Sequence, residues 1–403
     1  MERRSFMHLL LGSTIIPEFD ALRDFQDNPR NLWRSVRKMF PDASSEWLNF
    51  NNGSAGMVSK VVMKAFQENL EKMNQEPPYQ YFLSFQDYLN ETKNGLASLI
   101  GASGKNISLT RNTTEAINYI SQGLVLKNGG QILTANHDYP QALNSLEKAA
   151  QRNNNKLKTI QLNFQESEEE IIRTYESHLK ENTSVLLITA QTHREGQIMP
   201  VKKLVNLAKK YNALTLVDAA HAYGQYPHSV TDWDCDFYCT SLHKWFGAPH
   251  GSGILYIKEG MVETIKGPDS CPDPFSAEMN KFTYLGTRSF AQEVSIGTAL
   301  DLMNNIGLEN KFKRHKEMTE YWTKSFVDNE IIDIIKPEKF GAVAAFNINV
   351  KAKPFKEHLK NNKVYLKTVR AAKAKKTSFR VSPGIYHNFK DLDRFIDVIK
   401  SFQ

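Results

Sequence analysis

The chain has 403 residues and a mass of 46.0 kDa, which is enough for one large domain and a smaller one. Its content of 41% hydrophobic and 24% charged residues is typical of a soluble globular protein. The net charge of +7 is uneven, because residues 351–380 hold nine lysines and two arginines against one acid. Since this run lacks interleaved aromatics and any zinc-finger or helix-turn-helix spacing, we interpret it as a solvated basic face and predict no nucleic-acid partner.

The cysteine count excludes a disulfide framework. Only Cys235, Cys239 and Cys271 occur, which is too few for a chain of this length. Cys235 and Cys239 are spaced as C-x3-C, but they lie in or beside a predicted strand and lack a second pair of ligands. Core packing is therefore the preferred interpretation, and no metal site is predicted.

The N-terminus raises a question of location. The pair Arg3-Arg4, followed by an apolar run to Ile16, is similar to the start of a twin-arginine export signal. The run is short, His8 interrupts it, and no small-x-small cleavage site follows. No other stretch approaches the ~20 apolar residues of a membrane helix. We expect a cytoplasmic protein without membrane contact, and a periplasmic location is the alternative.

Two polar segments precede the central part of the chain. Residues 47–56 change from an aromatic and apolar run to Asn51-Asn52-Gly53, which predicts a short strand that enters a turn. In residues 110–118, hydroxyl and amide side chains precede apolar residues at helical spacing. This second pattern predicts a helix N-terminus, whose free N–H groups suit a phosphate.

The middle of the chain alternates between strand and helix patterns. Residues 131–136 and 185–188 are apolar runs that predict strands. Residues 201–208 show helical spacing, and residues 214–217 return to a strand pattern. A strand, helix and strand in this order form a crossover unit, so we predict a parallel sheet.

Two chemically distinctive residues follow successive strands. Asp218 ends the apolar run 214–217, and Lys244 comes shortly after the run 237–239. The carboxyl ends of parallel strands lie at the same edge of a sheet, where ligands of α/β proteins bind. A lysine that loses its proton forms an imine with a carbonyl, and an aspartate can pair with a pyridinium nitrogen. Both are required by enzymes that use pyridoxal 5'-phosphate (PLP).

The surrounding residues support this interpretation. Asp218-Ala-Ala-His221 and Ser241-x-His243-Lys244 together resemble the class V aminotransferase family of fold-type-I PLP enzymes. The Asp-Ala-Ala-His form of the first motif is most similar to the isopenicillin N epimerase-like branch of this family, which is related to cysteine desulfurases. The resemblance implies an α/β fold with a mainly parallel seven-stranded sheet between helices in a large PLP-binding domain. A smaller α+β C-terminal domain should follow.

The resemblance also implies a set of cofactor contacts. Tyr139 should stack on the pyridine ring, with His137 as the second choice for that role, and His193 should contact the phenolic oxygen. Thr113 and Thr114 should bind the phosphate, and Ser241 and His243 should bind the phosphate or orient the cofactor. The predicted cofactor-binding residues are Thr113, Thr114, Tyr139, His193, Asp218, His221, Ser241, His243 and Lys244, of which Asp218 and Lys244 are also catalytic.

The substrate and the partner subunit follow from the same resemblance. Arg380, within Phe-Arg-Val-Ser-Pro, matches the arginine that holds the α-carboxylate of a small-molecule amino-acid substrate, a role suited to a planar guanidinium. Asn52 should lie near the substrate. Thr287 should reach the phosphate of the neighbouring subunit, which implies a homodimer with shared active sites.

The predicted domains are residues 1–45, a segment that packs on the small domain; 46–300, the large domain; and 301–403, the small domain. A helix over 290–306 should link the two domains, and residues 266–281 should form a long loop. Strands are predicted near 342–348 and 379–382, and a last helix over 391–402.

The motifs do not identify which reaction the enzyme catalyses. No cysteine follows Cys271, so the nucleophile that a cysteine desulfurase carries upstream of its carboxylate-binding arginine is missing. Transamination, epimerisation and β-elimination share nearly all of the remaining residues. We expect an aminotransferase or an isopenicillin N epimerase-like epimerase, and a β-eliminating carbon–sulfur lyase is the alternative. A non-catalytic binding protein with the same fold is a remote third possibility.

Overall fold

The computed structural model describes residues 19, 22, 28–42, 46–163, 166–369 and 376–402. The arginine pair at positions 3 and 4 and the apolar run after it lie outside these residues, as do residues 370–375 of the basic run. Within the described ranges, no helix is long and apolar enough to cross a bilayer. The same ranges contain no cluster of His, Cys, Asp and Glu side chains that could hold a metal ion.

The central sheet has seven strands in the order β2-β8-β7-β6-β5-β3-β4. Their bounds are β2 Ile107–Thr110, β3 Gln131–Ala135, β4 Lys156–Ile160, β5 Thr183–Thr189, β6 Leu214–Asp218, β7 Phe237–Ser241 and β8 Gly253–Ile257. All neighbouring pairs from β7 to β4 are parallel, and β8 runs antiparallel to both β7 and β2. The predicted, mainly parallel seven-stranded sheet is thus confirmed.

Both faces of this sheet are buried. In β5, Leu186 and Ile188 belong to one hydrophobic core, whereas Val185 and Leu187 belong to the core on the opposite face. Continuous apolar runs are expected where helices cover both sides of a parallel sheet. Each fully buried side chain of this kind stabilises the fold by roughly 1.5–3 kcal/mol.

The helices pack around the seven-stranded sheet and around a smaller sheet near the C-terminus. Their bounds are α1 Pro29–Lys38, α2 Lys60–Gln75, α3 Pro78–Ser84, α4 Gln86–Ser98, α5 Thr113–Gly123, α6 Pro140–Arg152, α7 Glu168–His178, α8 Val201–Lys210, α9 Val230–Trp233, α10 Phe290–Ile306, α11 Leu308–Lys324, α12 Ala352–Asn361 and α13 Phe389–Lys400. Helix α10 begins and ends where the sequence predicts. Gly307, with a φ of 81°, then allows the chain to turn directly into α11.

A second, antiparallel sheet forms near the C-terminus, with the order β12-β13-β10-β9. Its strands are β9 Ile332–Ile335, β10 Ala344–Ile348, β12 Lys367–Val369 and β13 Ser378–Val381. Trp322, Phe346 and Phe395 lie in its hydrophobic core. The sequence predicts β10 and β13 but not the two outer strands, which are short and partly exposed.

The N-terminal part of the chain is attached to this C-terminal region. Strand β1 (Leu48–Asn49) pairs in parallel with β11 (Val364–Tyr365). Arg37 of α1 donates a hydrogen bond to the carbonyl oxygen of Tyr386 at 2.9 Å and forms an ion pair with Asp391. The domain boundaries at 45/46 and 300/301 themselves stay predictions.

Candidate active site

Three polar residues lie where neighbouring parallel strands end. Asp218 is the last residue of β6, Ser241 is the last residue of β7, and Lys244 follows Ser241 by one tight turn. The register pairs Asp218 directly with Cys239 of β7, so both strand ends reach the same edge of the sheet. Burial of the apolar residues before them fixes this arrangement, because a shift by one residue would turn every side chain to the opposite face.

Lys244 is largely removed from water and has no ion-pair partner among the described residues. Its Nζ lies 3.5 Å from Nε2 of His221. Desolvation lowers the pKa of Lys244 to about 8; the carboxylate of Asp218 opposes this shift, and the charge of Arg380 adds to it. At a pKa of about 8, roughly a tenth of the amines are neutral at pH 7, and a nucleophile or a base must be in this neutral form.

Asp218 is 4% exposed. One of its carboxylate oxygens accepts a hydrogen bond from the N–H of Ala220 at 3.0 Å. Burial raises the pKa of Asp218, whereas that hydrogen bond and the nearby charge of Lys244 lower it. A carboxylate held in this way offers its remaining oxygen to a cationic ring nitrogen.

The N-terminus of α5 meets the end of β7. Asn112 caps the helix by accepting a hydrogen bond from the N–H of Glu115 at 2.9 Å. The N–H of Thr113 donates to Oγ of Ser241 at 3.0 Å, and the two hydroxyl groups lie 2.7 Å apart. Thr114 follows in the same first turn, where N–H groups have no partner inside the helix. This hydroxyl-lined helix end suits a phosphate group.

Close backbone packing completes this end of the site. A Cβ atom on Gly253 would lie 2.6 Å from the carbonyl oxygen of Thr240 and 2.8 Å from Cα of Asn112, so only glycine fits there. His243 points away from the helix end, and its Nδ1 lies 3.2 Å from the carbonyl oxygen of Ser252. Burial lowers the pKa of His243 to about 4, so this ring is neutral at physiological pH.

The two rings that follow β3 differ in burial. His137 is 2% exposed and its Nε2 has no hydrogen-bond partner in the described chain, whereas Tyr139 is 39% exposed. The ring of Tyr139 meets the ring of His193 edge-on, with 5.6 Å between centroids. Nδ1 of His193 is also buried without a hydrogen-bond partner in the described chain. Which of Tyr139 and His137 stacks on a cofactor stays a prediction.

Asp138 holds this turn in place, a role that the sequence did not reveal. Its carboxylate accepts hydrogen bonds from the N–H of Ala135 and from the hydroxyl group of Thr189, both at 2.7 Å. These contacts tie the ends of β3 and β5 together. Burial raises the pKa of Asp138 to about 7.

Arg380 of β13 reaches the site from the C-terminal sheet and is 3% exposed. Its Nη2 donates to Oδ1 of Asn51 and to Oγ of Ser54, both at 2.7 Å, and its Nη1 donates to the carbonyl oxygen of His193 at 2.8 Å. Nε has no partner. Burial lowers the pKa of Arg380 to about 10. The guanidinium is thus oriented, and donors remain free for an incoming carboxylate.

Asn52, the predicted substrate contact, uses its side chain within the protein. Its Nδ2 donates to the carbonyl oxygen of Lys244 at 3.2 Å, and its Oδ1 lies 3.4 Å from the hydroxyl group of Tyr386. The neighbouring Gly53 lies against the site, because a Cβ atom there would be 3.1 Å from the ring of His221 and 3.4 Å from Cζ of Arg380. A substrate role for Asn52 stays a prediction.

Thr287 is separate from the other predicted residues. It is exposed in the loop between the 3-10 turn Met279–Thr283 and α10. No contact in the described part of the chain connects it with Lys244 or with the N-terminus of α5. Its predicted role in the neighbouring subunit stays a prediction as well.

The family model for aminotransferase class-V matches residues 47–395. The chain belongs to this family. The hercynylcysteine sulfoxide lyase of Schizosaccharomyces pombe is 25% identical over an alignment of 318 residues that covers 76% of this chain and 80% of that protein. The isopenicillin N epimerase of Streptomyces clavuligerus is 24% identical over an alignment of 321 residues that covers 75% of this chain and 81% of that protein. A probable cysteine desulfurase of Synechocystis is 26% identical over an alignment of 343 residues that covers 79% of this chain and 81% of that protein.

Solved structures agree on the fold. A mutant of the cystine C–S lyase C-DES, with glycine covalently linked to PLP, superimposes with a TM-score of 0.81 at 17% identity, covering 91% of this chain and 99% of that one. The cysteine desulfurase CsdA of Escherichia coli gives 0.80 at 18% identity, covering 91% and 97%. The predicted family, fold class and cofactor are confirmed: this is a class V enzyme of the PLP-dependent type.

Replacing Lys244 by methionine should stabilise the cofactor-free protein at pH 7. The pKa of Lys244 is about 8 in the folded chain and 10.5 for a free lysine, so the unfolded chain binds more protons over that window. Wild-type stability should therefore rise with pH from about 8 to 10.5. Below that window the buried charge costs roughly 2 kcal/mol, after allowance for partial exposure of the side chain.

Urea unfolding at pH 7 and near pH 10 measures this effect. The advantage of Lys244→Met should be largest at pH 7 and should shrink at the higher pH. Lys127→Met, at an exposed position, serves as the matched control and should show no such change. An equal difference between Lys244→Met and wild type at both pH values would contradict the burial argument.

Proposed function

We propose that the protein is a PLP-dependent enzyme that acts at the α-carbon of a free amino acid, as an aminotransferase or an epimerase. One observation carries the proposal. Nζ of Lys244 lies 3.5 Å from the ring of His221, and a Cβ atom on Gly53 would lie 3.1 Å from the same ring and 3.4 Å from Cζ of Arg380. The two desolvated cations, Lys244 and Arg380, thus border one space, and no carboxylate of the described chain forms an ion pair with either. A substrate carboxylate on Arg380 would place the adjacent α-carbon near the amine of Lys244.

The residues present fit the cofactor. Lys244 would hold its aldehyde carbon, Asp218 its pyridine nitrogen, and the helix end at Thr113, Thr114 and Ser241 its phosphate. Nε2 of His137 and Nδ1 of His193 are buried polar atoms without hydrogen-bond partners in the described chain, as expected beside a bound aromatic group. When bound, PLP supplies an electron sink that stabilises the negative charge left at an α-carbon after its proton is removed.

The protein supplies orientation and proton transfer. Arg380 grips the α-carboxylate and is itself held by Asn51, Ser54 and the carbonyl group of His193. The neutral amine of Lys244 takes the α-proton as a general base. Asp218 keeps a negative charge opposite the ring nitrogen. Return of the proton at a different atom, or on the opposite face, decides between transamination and epimerisation.

A carbon–sulfur lyase is the second candidate. The curated relatives include a sulfoxide lyase, and a cystine lyase shares the fold. The cysteines disfavour a desulfurase that forms a persulfide. Cys235 and Cys239 are fully buried, and burial raises the pKa of both thiols. Sγ of Cys271 donates to the carbonyl oxygen of Asp273 at 3.3 Å. Sulfur chemistry here would therefore proceed by elimination.

Products from a panel of L- and D-amino acids, including S-substituted cysteines, should identify the reaction. Transfer of the amino group to an added 2-oxo acid indicates an aminotransferase. Exchange of the α-proton with solvent deuterium together with loss of optical activity indicates an epimerase. Release of a thiol, ammonia and a 2-oxo acid indicates a lyase. Lys244→Ala should abolish all three, and a protein that stays colourless after addition of PLP would refute the proposal.

Arg380→Gln should reduce kcat/KM by about a hundredfold, since a lost charge-assisted contact costs about 3 kcal/mol. The visible absorbance of the bound cofactor should persist, because Arg380 is proposed to hold the substrate and not the cofactor. Arg394→Gln is the control, since Arg394 is exposed and bonds only to the carbonyl oxygen of Asn362 among the described contacts. Unchanged kcat/KM in Arg380→Gln would exclude its carboxylate role.

We further propose that the enzyme is a homodimer whose sites are completed across the interface. Thr287 is exposed, and the same loop exposes Tyr284 and Leu285, at 45% and 36%. Exposed apolar side chains beside an exposed glycine–threonine pair fit a surface that a second copy covers.

Mixed dimers test the shared site. Chains with Lys244→Ala or Thr287→Asp should each be inactive alone, because one lacks the base and the other repels the phosphate. Co-expression should restore about a quarter of wild-type activity, since half of randomly paired dimers are mixed and each has one intact site. No recovery, with mixed dimers present by differential tagging, would show that Thr287 does not act across the interface.

A further inference from the structure

Trp245, the residue after Lys244, contacts the partner of that lysine. Its indole Nε1 donates a hydrogen bond to Nδ1 of His221 at 3.2 Å, and the other ring nitrogen of His221 faces Nζ of Lys244 at 3.5 Å. Trp245 is 2% exposed and His221 is 4% exposed, so water does not compete for these groups. The three side chains form a buried series from tryptophan through histidine to lysine.

The chemistry of these donors fixes the proton on His221. An indole N–H can only donate, so Nδ1 of His221 must accept and carries no proton. In a neutral imidazole the proton then lies on Nε2, the nitrogen that faces Lys244. Burial lowers the pKa of His221 far below its usual value, and the charges of Lys244 and Arg380 and the ring of His193 lower it further. The doubly protonated ring is thus excluded.

Trp245 is itself fixed by the C-terminal part of the chain. Nζ of Lys311, in α11, donates to the carbonyl oxygen of Trp245. The ring of His315, one turn further along α11, packs edge-on against the indole with 5.3 Å between centroids. Ala342 and Val343 complete a small hydrophobic cluster around it. These contacts fix the indole ring in the orientation in which its N–H points at Nδ1 of His221.

We propose that Trp245 is a positioning residue that holds His221 as its Nε2–H tautomer, so that His221 presents a hydrogen-bond donor beside Lys244. A donor at this place favours the neutral amine of Lys244 as its acceptor. With the cofactor bound, which rests on the proposed function, the same N–H donates to an oxygen of the cofactor. Without Trp245, the proton of His221 is free to occupy Nδ1. Nε2 is then an acceptor and cannot donate a hydrogen bond to such an oxygen.

The tautomer is measured directly by NMR of the full-length protein labelled with nitrogen-15 histidine, with the cofactor bound and after its removal. The resonances of His221 are assigned by their loss in His221→Gln. We expect a protonated Nε2 and an unprotonated Nδ1 in wild type. In Trp245→Phe we expect a mixture of tautomers or the reverse one. Trp233→Phe is the matched control, because Trp233 stacks on His228 and not on His221.

Two results would overturn the proposal. One is a wild-type His221 that carries its proton on Nδ1 or on both nitrogens, and the other is an unchanged tautomer in Trp245→Phe. If Trp245→Phe does not fold, Trp245→Tyr takes its place, and the wild-type spectrum still decides the first result. Neither measurement requires turnover, so an inactive protein with the expected tautomer would refute the proposed function and leave this inference intact.

Cofactor affinity gives a second, independent readout. A glutamine amide donates without any choice of tautomer, so His221→Gln should make Trp245 dispensable for this contact. Trp245→Phe should weaken PLP binding about tenfold in the wild-type background, which corresponds to one lost hydrogen bond. In the His221→Gln background the same change should have a clearly smaller effect. Equal effects in both backgrounds would show that Trp245 acts by packing alone.

Discussion

The site depends on keeping two cations, Lys244 and Arg380, largely out of water and without a direct ion pair to a carboxylate of the described chain. Desolvation is costly for each, and it lowers the pKa of both. The surrounding fold offsets part of this cost, because the Arg380 guanidinium donates hydrogen bonds to neutral oxygens of Asn51, Ser54 and His193. Neutral partners orient a charge without cancelling it. In the proposed function, a substrate carboxylate forms the ion pair with Arg380 that no carboxylate of the described chain provides.

Two sheets contribute to this arrangement. The parallel sheet brings Asp218 and Lys244 to one edge, because their strands are adjacent and end in register. Arg380 lies on the antiparallel sheet, and a bridge between Asn51 and Ser382 connects that sheet with the segment that leads into α2. The residues that flank Lys244, Leu242 and Phe246, and those that flank Arg380, Phe379 and Val381, lie in different hydrophobic cores. The distance between the two cations is therefore set by how these cores pack together.

The sequence predicts what depends on local patterns. Apolar runs of three or four residues locate the strands that carry Asp218 and Ser241, and the capping pattern locates the N-terminus of α5. The same logic locates α10, whose bounds agree with the prediction. These features follow from burial and capping within a short window, so no knowledge of distant contacts is needed.

Contacts between distant segments are what the sequence leaves open. Asn51 and Ser54 meet Arg380 across more than 320 positions, and neither differs in any local way from an ordinary turn residue. His137 and Tyr139 are two residues apart at one strand end, and only the fold decides which of them is buried. Trp245 is indistinguishable from a core aromatic until its N–H is found on His221.

Reaction specificity also depends on contacts between distant segments, which local sequence patterns do not reveal. Asp218, Lys244 and Arg380 serve transamination, epimerisation and elimination alike, so the choice must depend on other groups that can supply a proton. The loop between β5 and α8 contains two protonatable side chains with unpartnered buried atoms, His193 and Glu195. Burial lowers the pKa of His193 and raises the pKa of Glu195 to about 8. Near neutral pH the first is therefore a base without its proton and the second an acid that retains one. Both side chains lie within two residues of the carbonyl group of His193, which accepts a hydrogen bond from Arg380, so we expect their protonation to influence the reaction at this site.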